Sequence, residues 1–209
     1  ARGAMFVTTD MGAKVILSDA DTGEVLAQGV TTGTVGGAPD MRAAFRATLP
    51  LTGPRRLRVS ATGPLSYPHA TTEVTSTQWV VPGGHVRGEG WVLEMPGFIV
   101  DLEAAPARVL VGDGPAAAPL RARVVMMCGC PTEPGGRWDA DGYEIRAVLR
   151  RGATRIGEYP LTYAGEPSTY VGDVPLARPG HYDLLVYAYD PETGNTGLAR
   201  HSIDVVDED

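Results

Sequence analysis

The chain has 209 residues, 43% of them hydrophobic and 21% charged, a balance that fits a folded globular protein and excludes a disordered one. Its net charge is -7, and no Lys/Arg stripe with interleaved aromatics occurs, which argues against nucleic acid as a partner. No apolar run approaches the roughly 20 residues that a membrane-spanning helix needs.

Glycine (27) and proline (17) are scattered between short apolar runs, which signals many turns and an all-β chain. In chain order the spacing predicts strands at Ala13 to Ser18, Glu24 to Val30, Met41 to Leu49, Arg55 to Ala61 and Glu73 to Val81. Gly90 to Glu94 and Phe98 to Glu103 follow a glycine-rich loop. The second half predicts Ala107 to Val111, Leu120 to Met127, Tyr143 to Arg150, Thr154 to Pro160, Ser168 to Val174, Tyr182 to Ala188 and Gly197 to Val206. No segment sustains a 3.6-residue period between caps, so helices should be short or missing.

The two halves share an order of elements. Lys14 to Leu17, the turn Asp19 to Gly23 and a returning strand correspond to Glu144 to Leu149, the turn Arg151-Gly152 and Thr154 to Gly157. Pro50 and Gly53-Pro54 lead into Arg56 to Ala61, as Pro175 and Pro179-Gly180 lead into Tyr182 to Ala188. Each copy ends in a final strand. This order predicts two tandem β-sandwich domains, 1–104 and 105–209, with the boundary near Ala104-Ala105-Pro106. Gly23 and Gly194 close Asp-Thr-Gly and Glu-Thr-Gly turns, where a hairpin needs positive φ.

Two stretches carry a resemblance. Lys14 to Ala61, which starts Val-x-Leu-x-Asp-x-x-Thr-Gly-Glu-x-Leu-Ala, resembles carboxypeptidase-regulatory-like or transthyretin-like β-sandwich domains. Gly180 to Gly197 resembles the final hairpin of bacterial immunoglobulin-like domains. The resemblance implies two tandem immunoglobulin-like/transthyretin-like sandwiches. It also implies an accessory, adhesive or carbohydrate-contacting role in an exported protein.

The densest chemistry lies in Met126-Met127-Cys128-Gly129-Cys130-Pro131, which holds both cysteines. Residues two apart on a strand share a face, so Cys128 and Cys130 can form a disulfide once Gly129 kinks the chain. Such a bond closes almost no loop and adds little stability by chain entropy. With Met126 or Met127 the same thiolates make a soft-metal site suited to Cu(I), or to Zn with further ligands. Reduced structural thiols are the third reading, and packing explains both methionines.

The loop beyond, Pro131 to Tyr143, places Trp138 and Tyr143 around Asp139 and Asp141, a composition suited to a protein partner or a sugar ring. The plainer reading has Trp138 covering the edge of the sandwich. A second loop, Pro82 to Trp91, offers His85 and Trp91 as further contact candidates, with His85 otherwise a solvated loop residue. Asp19-x-Asp21-x-Gly23 and Asp139-x-Asp141-Gly142 hint at calcium, yet Asx turns account for both, and Val30 stands where a closing Glu would complete an EF-hand.

Motifs for serine hydrolases, zinc peptidases, phosphate loops and dinucleotide binding are missing. A carboxylate pair from separate loops would leave no local motif. The sequence therefore favours a non-enzymatic binding or structural accessory protein that engages a larger assembly or a surface glycan through its loops. The alternative is a periplasmic copper protein built on Cys128 and Cys130. The chain opens on Ala1 rather than Met, from which the removal of a signal peptide or a tag is expected. Short β modules, a pI near 5.1 and the close cysteine pair favour export to the periplasm or the extracellular space.

Overall fold

The structure is a computed structural model that describes residues 11–31, 44–87, 90–112 and 116–207. Thirteen strands and two single 3-10 turns, Pro68–Ala70 and Ala140–Gly142, make up its regular elements, with no α-helix among the described residues. The chain is all-β. It divides into two compact units between Met95 and Pro96.

In the N-terminal unit β1 (Lys14–Asp19), β2 (Val25–Val30), β3 (Arg55–Gly63) and β4 (Thr72–Val80) form one antiparallel sheet in the order β2-β1-β3-β4. Alternation decides which face is buried. Leu57, Val59 and Ala61 of β3 are buried, while Arg56 and Arg58, on either side of Leu57, are exposed. Ala13, Val15, Val59 and Ala61 form the core, against which Phe45, Trp91, Leu93 and Met95 pack.

Two expected strands differ here. Gly90 to Glu94 makes no ladder among the described residues, although Trp91, Leu93 and Met95 turn alternately onto the core. The period-2 pattern is a consequence of covering a sheet, and it mimics strand pairing. In Met41 to Leu49, residues 41–43 lie outside the described residues, and 45–49 have no strand pairing.

The C-terminal unit is a two-layer sandwich. One layer has the order β10-β11-β7-β5, from β5 (Phe98–Ala104), β7 (Ala116–Met126), β10 (Thr162–Tyr163) and β11 (Thr169–Leu176). The other has the order β6-β13-β12-β8-β9, from β6 (Arg108–Val111), β8 (Glu144–Arg151), β9 (Thr154–Pro160), β12 (Gly180–Tyr189) and β13 (Thr196–Asp207). All pairings are antiparallel except β6 with β13. The strand β5, expected at the end of the first domain, pairs with β7 from Phe98↔Met126 onward. The division therefore falls about ten residues before Ala104-Ala105-Pro106.

This is the immunoglobulin arrangement: β5, β7, β11 and β10 take the places of strands A, B, E and D, and β8, β12 and β13 those of C, F and G. Tyr182, at the start of β12, donates a 2.9 Å hydrogen bond to the Arg178 carbonyl, as the tyrosine corner of such domains does. No cysteine links the layers. Instead β7 turns Ala118, Leu120, Ala122 and Val124 inward, and β12 turns Tyr182, Leu184, Val186 and Ala188 inward, all buried. Burial of each Leu or Val contributes about 1.5 to 3 kcal/mol.

The internal correspondence has a structural counterpart. The order β2-β1-β3-β4 matches β9-β8-β12-β13, antiparallel throughout. Both hairpins carry a register shift shortly before their turn, between Leu17 and Ser18 and between Leu149 and Arg150. The Asp-x-x-Thr-Gly turn, by contrast, recurs at non-equivalent hairpins. Asp19 Oδ1 accepts from the Asp21 N–H and Gly23 N–H donates to the Asp19 carbonyl, both at 2.9 Å. Asp190 does the same with Glu192 at 2.9 Å and Gly194 at 2.8 Å. The turn is a local solution, used twice.

Removing the Tyr182 hydroxyl as Tyr182→Phe keeps the ring's burial and deletes one hydrogen bond. Urea unfolding should show a loss of about 1 kcal/mol. Asp19 reports on pH. Backbone N–H groups of Thr22 and Asp21 and the nearby Arg55 hold its carboxyl below the ordinary value of 3.8. A depressed pKa contributes stability that is complete above the unfolded value and lost as pH falls through the folded one. Asp19→Asn should therefore melt earlier than wild type at pH 7, with the gap closing as the pH falls below 4 in a thermal-melting series.

Candidate functional site

Beyond β7 the chain doubles back. Gly129 N–H donates to the Met126 carbonyl at 2.7 Å, Met126 N–H to the Cys130 carbonyl at 3.0 Å, and Val125 bridges Pro131. Gly129 has φ +79°, the left-handed region that glycine occupies at low cost. The two cysteines face each other at disulfide distance, Cα to Cα 5.4 Å, and the Cys130 N–H points at Cys128 Sγ at 3.4 Å. Cys128 is buried and Cys130 half-buried.

Met126 and Met127 are buried too, and the terminal methyl of Met127 reaches to within 3.5 Å of where a Cβ on Gly97 would stand. Met127 thus packs on the start of β5. Among the described residues no three His, Cys, Asp or Glu side chains gather in a way that could hold an ion. A soft-metal site here would draw on the two sulfurs and the flanking thioethers alone.

The next residue but one anchors the loop. Thr132 is fully buried, and its Oγ1 donates to the Val124 carbonyl at 2.8 Å. That uses its single proton, so the Tyr170 hydroxyl, 2.9 Å away, is the donor in their shared hydrogen bond. Thr132 N–H reaches Ser168 Oγ at 3.1 Å, and Ser168 N–H returns to the Thr132 carbonyl at 2.7 Å. Ser168 has φ +65°, the only non-glycine residue so placed among the described residues. Burial raises the Tyr170 phenol above its ordinary pKa. A buried hydroxyl cluster thus ties the loop to both β7 and β11.

The outer part of the loop is held by one carboxylate and one backbone bridge. Asp139 Oδ1 accepts from Gly135 N–H at 3.0 Å and Asp141 N–H at 3.1 Å, and Glu133 bridges Asp139. The bond from Asp141 is an Asx turn, as is the one from Asp21 to Asp19, and the bond from Gly135 closes the loop back onto it. Trp138 is half-buried beneath the Arg137 guanidinium, 5.7 Å from its ring centroid. Tyr143 packs edge-on against Phe98 at 4.9 Å between centroids. Its phenol pKa is raised by burial first and then by the charges of Asp190 and Asp139. The pairing of Tyr189 with Glu144 brings the acidic turn of the β12–β13 hairpin to the Tyr143 end of β8. Trp138, Tyr143, Asp139 and Asp141 therefore occupy one acidic end of the sandwich.

The N-terminal candidates separate. His85 is exposed in its loop, while Trp91 is half-buried against the sheet core. Two features escaped the sequence reading. Trp79 on β4 is 67% exposed, and its signal was parity: it shares the solvent phase of Glu73, Thr75 and Thr77. On the outer face of the five-stranded layer, Glu158 accepts from Tyr187 and pairs with Arg146 and Arg155. Burial first and this hydrogen bond second push Tyr187 to about 12. Cross-strand pairing assembles that cluster from β8, β9 and β12, so no local motif announces it.

The hydroxyl cluster gives a test of how firmly the loop is anchored. Thr132→Val leaves the Val124 carbonyl and the Tyr170 hydroxyl unpartnered and should cost about 2 kcal/mol in urea unfolding. The double variant Thr132→Val/Tyr170→Phe should cost clearly less than the sum of the two single changes.

No protein family matches the chain, and no curated protein matches it. Among solved structures, fibronectin(III)-like modules of CbhA from Clostridium thermocellum are similar to it at 17% identity and a TM-score of 0.34, over 93% of this chain and 78% of that one. That likeness is too loose to carry an argument.

Proposed function

We propose that this chain is a non-enzymatic, exported accessory module that engages a larger protein assembly or a surface glycan through the loop Pro131 to Tyr143. The observation that supports this most is the loop's fixed frame: a buried Thr132–Ser168–Tyr170 cluster at its base and the Asp139 carboxylate, with its Asx turn, at its tip. A loop ordered before contact loses little entropy on binding. It presents Trp138 and Tyr143 among exposed carboxylates, so its surface combines an aromatic platform with hydrogen-bond acceptors.

The chemistry of the carboxylates favours binding over catalysis. The Asp139 carboxylate is occupied by backbone N–H groups and shapes the turn. Asp141 is exposed, as a recognition group is.

The experiment is binding of the full chain to a glycan array, with photo-crosslinking from position 138 in the native host as its protein-partner arm. Trp138→Ala should weaken whichever contact is found by at least tenfold while the melting temperature stays unchanged. Binding indifferent to Trp138→Ala and to Asp141→Asn would remove the loop from the role.

A further inference from the structure

Both cysteines of the chain stand in one hairpin, so no further thiol is present to exchange with them. An immunoglobulin-type sandwich uses a cysteine pair to join its two layers. Cys128 and Cys130 are not placed for that, since both follow directly on β7. Gly129 alone lies between them, and a bond joining them closes a loop with almost no entropy to remove.

The hairpin is held without the sulfurs. Gly129 N–H donates to the Met126 carbonyl at 2.7 Å, and Met126 N–H to the Cys130 carbonyl at 3.0 Å. Two residues on, Thr132 N–H reaches Ser168 Oγ at 3.1 Å and Ser168 N–H returns to the Thr132 carbonyl at 2.7 Å. These bonds do not depend on the oxidation state of the pair. Coupling between two equilibria is reciprocal, so a disulfide that adds little stability to the fold receives little from it. Folding protects a bond across a long loop from reduction. It does not protect this one.

The two sulfurs also differ from each other. Cys128 is 6% exposed, whereas Cys130 is half-buried. The Cys130 N–H points at Cys128 Sγ at 3.4 Å. A thiolate arriving from solvent meets Cys130 first, and its attack displaces negative charge onto Cys128, which a backbone donor already faces.

We propose that Cys128 and Cys130 form a thiol–disulfide exchange site whose substrate is a thiolate, supplied by a small thiol or by a cysteine of another protein. The thiolate sulfur bonds to Cys130 Sγ, the bond between the two cysteines breaks, and its electron pair leaves on Cys128 Sγ. A second thiolate then attacks the substrate sulfur of the mixed disulfide and releases Cys130. Two substrate thiols lose two electrons and two protons and become a disulfide. The chain takes up both and becomes a dithiol, with its sandwich unchanged. This chemistry does not depend on the contact proposed for Trp138, and either can fail alone.

The test equilibrates the full oxidised chain in buffers of reduced and oxidised glutathione, beside the peptide Met-Met-Cys-Gly-Cys-Pro, and counts free thiols by alkylation and mass spectrometry. The folded pair should be half-reduced within about tenfold of the buffer ratio that half-reduces the peptide. The reduced chain should melt within about 2 °C of the oxidised one. Glutathione disulfide should modify Cys128→Ser, which keeps the half-buried sulfur, at least about tenfold faster than Cys130→Ser. Offered separately, reduced glutathione and a reduced two-cysteine peptide show by their relative rates which source of thiolate the site prefers. A pair that needs stronger reduction than the stated range, a reduced chain that melts lower than stated, equal modification of the two serine variants, or reaction with neither thiol overturns the proposal.

Discussion

One buried hydroxyl holds the Trp138 end of the C-terminal sandwich in place. Thr132 sits where the chain has left β7 and has not yet begun its outer loop, and it is fully buried. A threonine there is costly unless both capacities of its hydroxyl are used. They are, by the Val124 carbonyl on one side and the Tyr170 hydroxyl on the other. Ser168 completes the pairing by taking a backbone conformation that few non-glycine residues adopt, which turns its N–H and Oγ toward Thr132. The direction in which Pro131 to Tyr143 leaves the sandwich follows from these bonds. So does the position of Trp138.

Below that loop the two layers are joined by side-chain packing, with no disulfide between them. Immunoglobulin domains commonly link strands B and F by a disulfide against a buried tryptophan. Here the equivalent strands face each other with Ala118, Leu120, Ala122 and Val124 against Tyr182, Leu184, Val186 and Ala188. All eight side chains are buried, so close packing between the layers takes the place of a bridge. The corner made by Tyr182 and Arg178 is retained, because it fixes a turn and not the distance between layers.

What could be read from residue order is what depends on alternation and turns. Almost every strand was visible, since Val/Leu/Ala parity and Asp-x-x-Thr-Gly turns act over a few residues. The Gly90 to Glu94 segment shows the limit. Trp91, Leu93 and Met95 alternate because they cover a sheet, and alternation does not reveal whether a backbone ladder exists. The domain boundary was placed late for a related reason. Phe98 to Ala104 is a strand in any reading, but its partner, β7, is set by long-range pairing. The loop of Trp138 and Tyr143 was legible from composition, whereas its anchor was not, because Thr132, Ser168 and Tyr170 come together only across β7 and β11. Trp79 was hidden by its neighbours: an aromatic among threonines on a strand looks like an ordinary β-former until its face is known.

The Cys-Gly-Cys segment takes on a different meaning in this setting. The hairpin that contains it is closed by backbone bonds from Gly129 to Met126 and from Met126 to Cys130, and by the bridge of Val125 to Pro131. Those bonds do not require a covalent link between the sulfurs. A bond between residues two apart in an already closed turn removes almost no freedom from the unfolded chain. The fold therefore gains little from joining Cys128 to Cys130, and it loses little if they part. The physical consequence runs the other way, from fold to sulfur. The hairpin holds two sulfurs at disulfide distance, one buried and one half-buried, at the root of the loop that carries Trp138. Whatever chemistry the sulfurs undergo takes place beside a frame that Thr132 ties to β7 and β11.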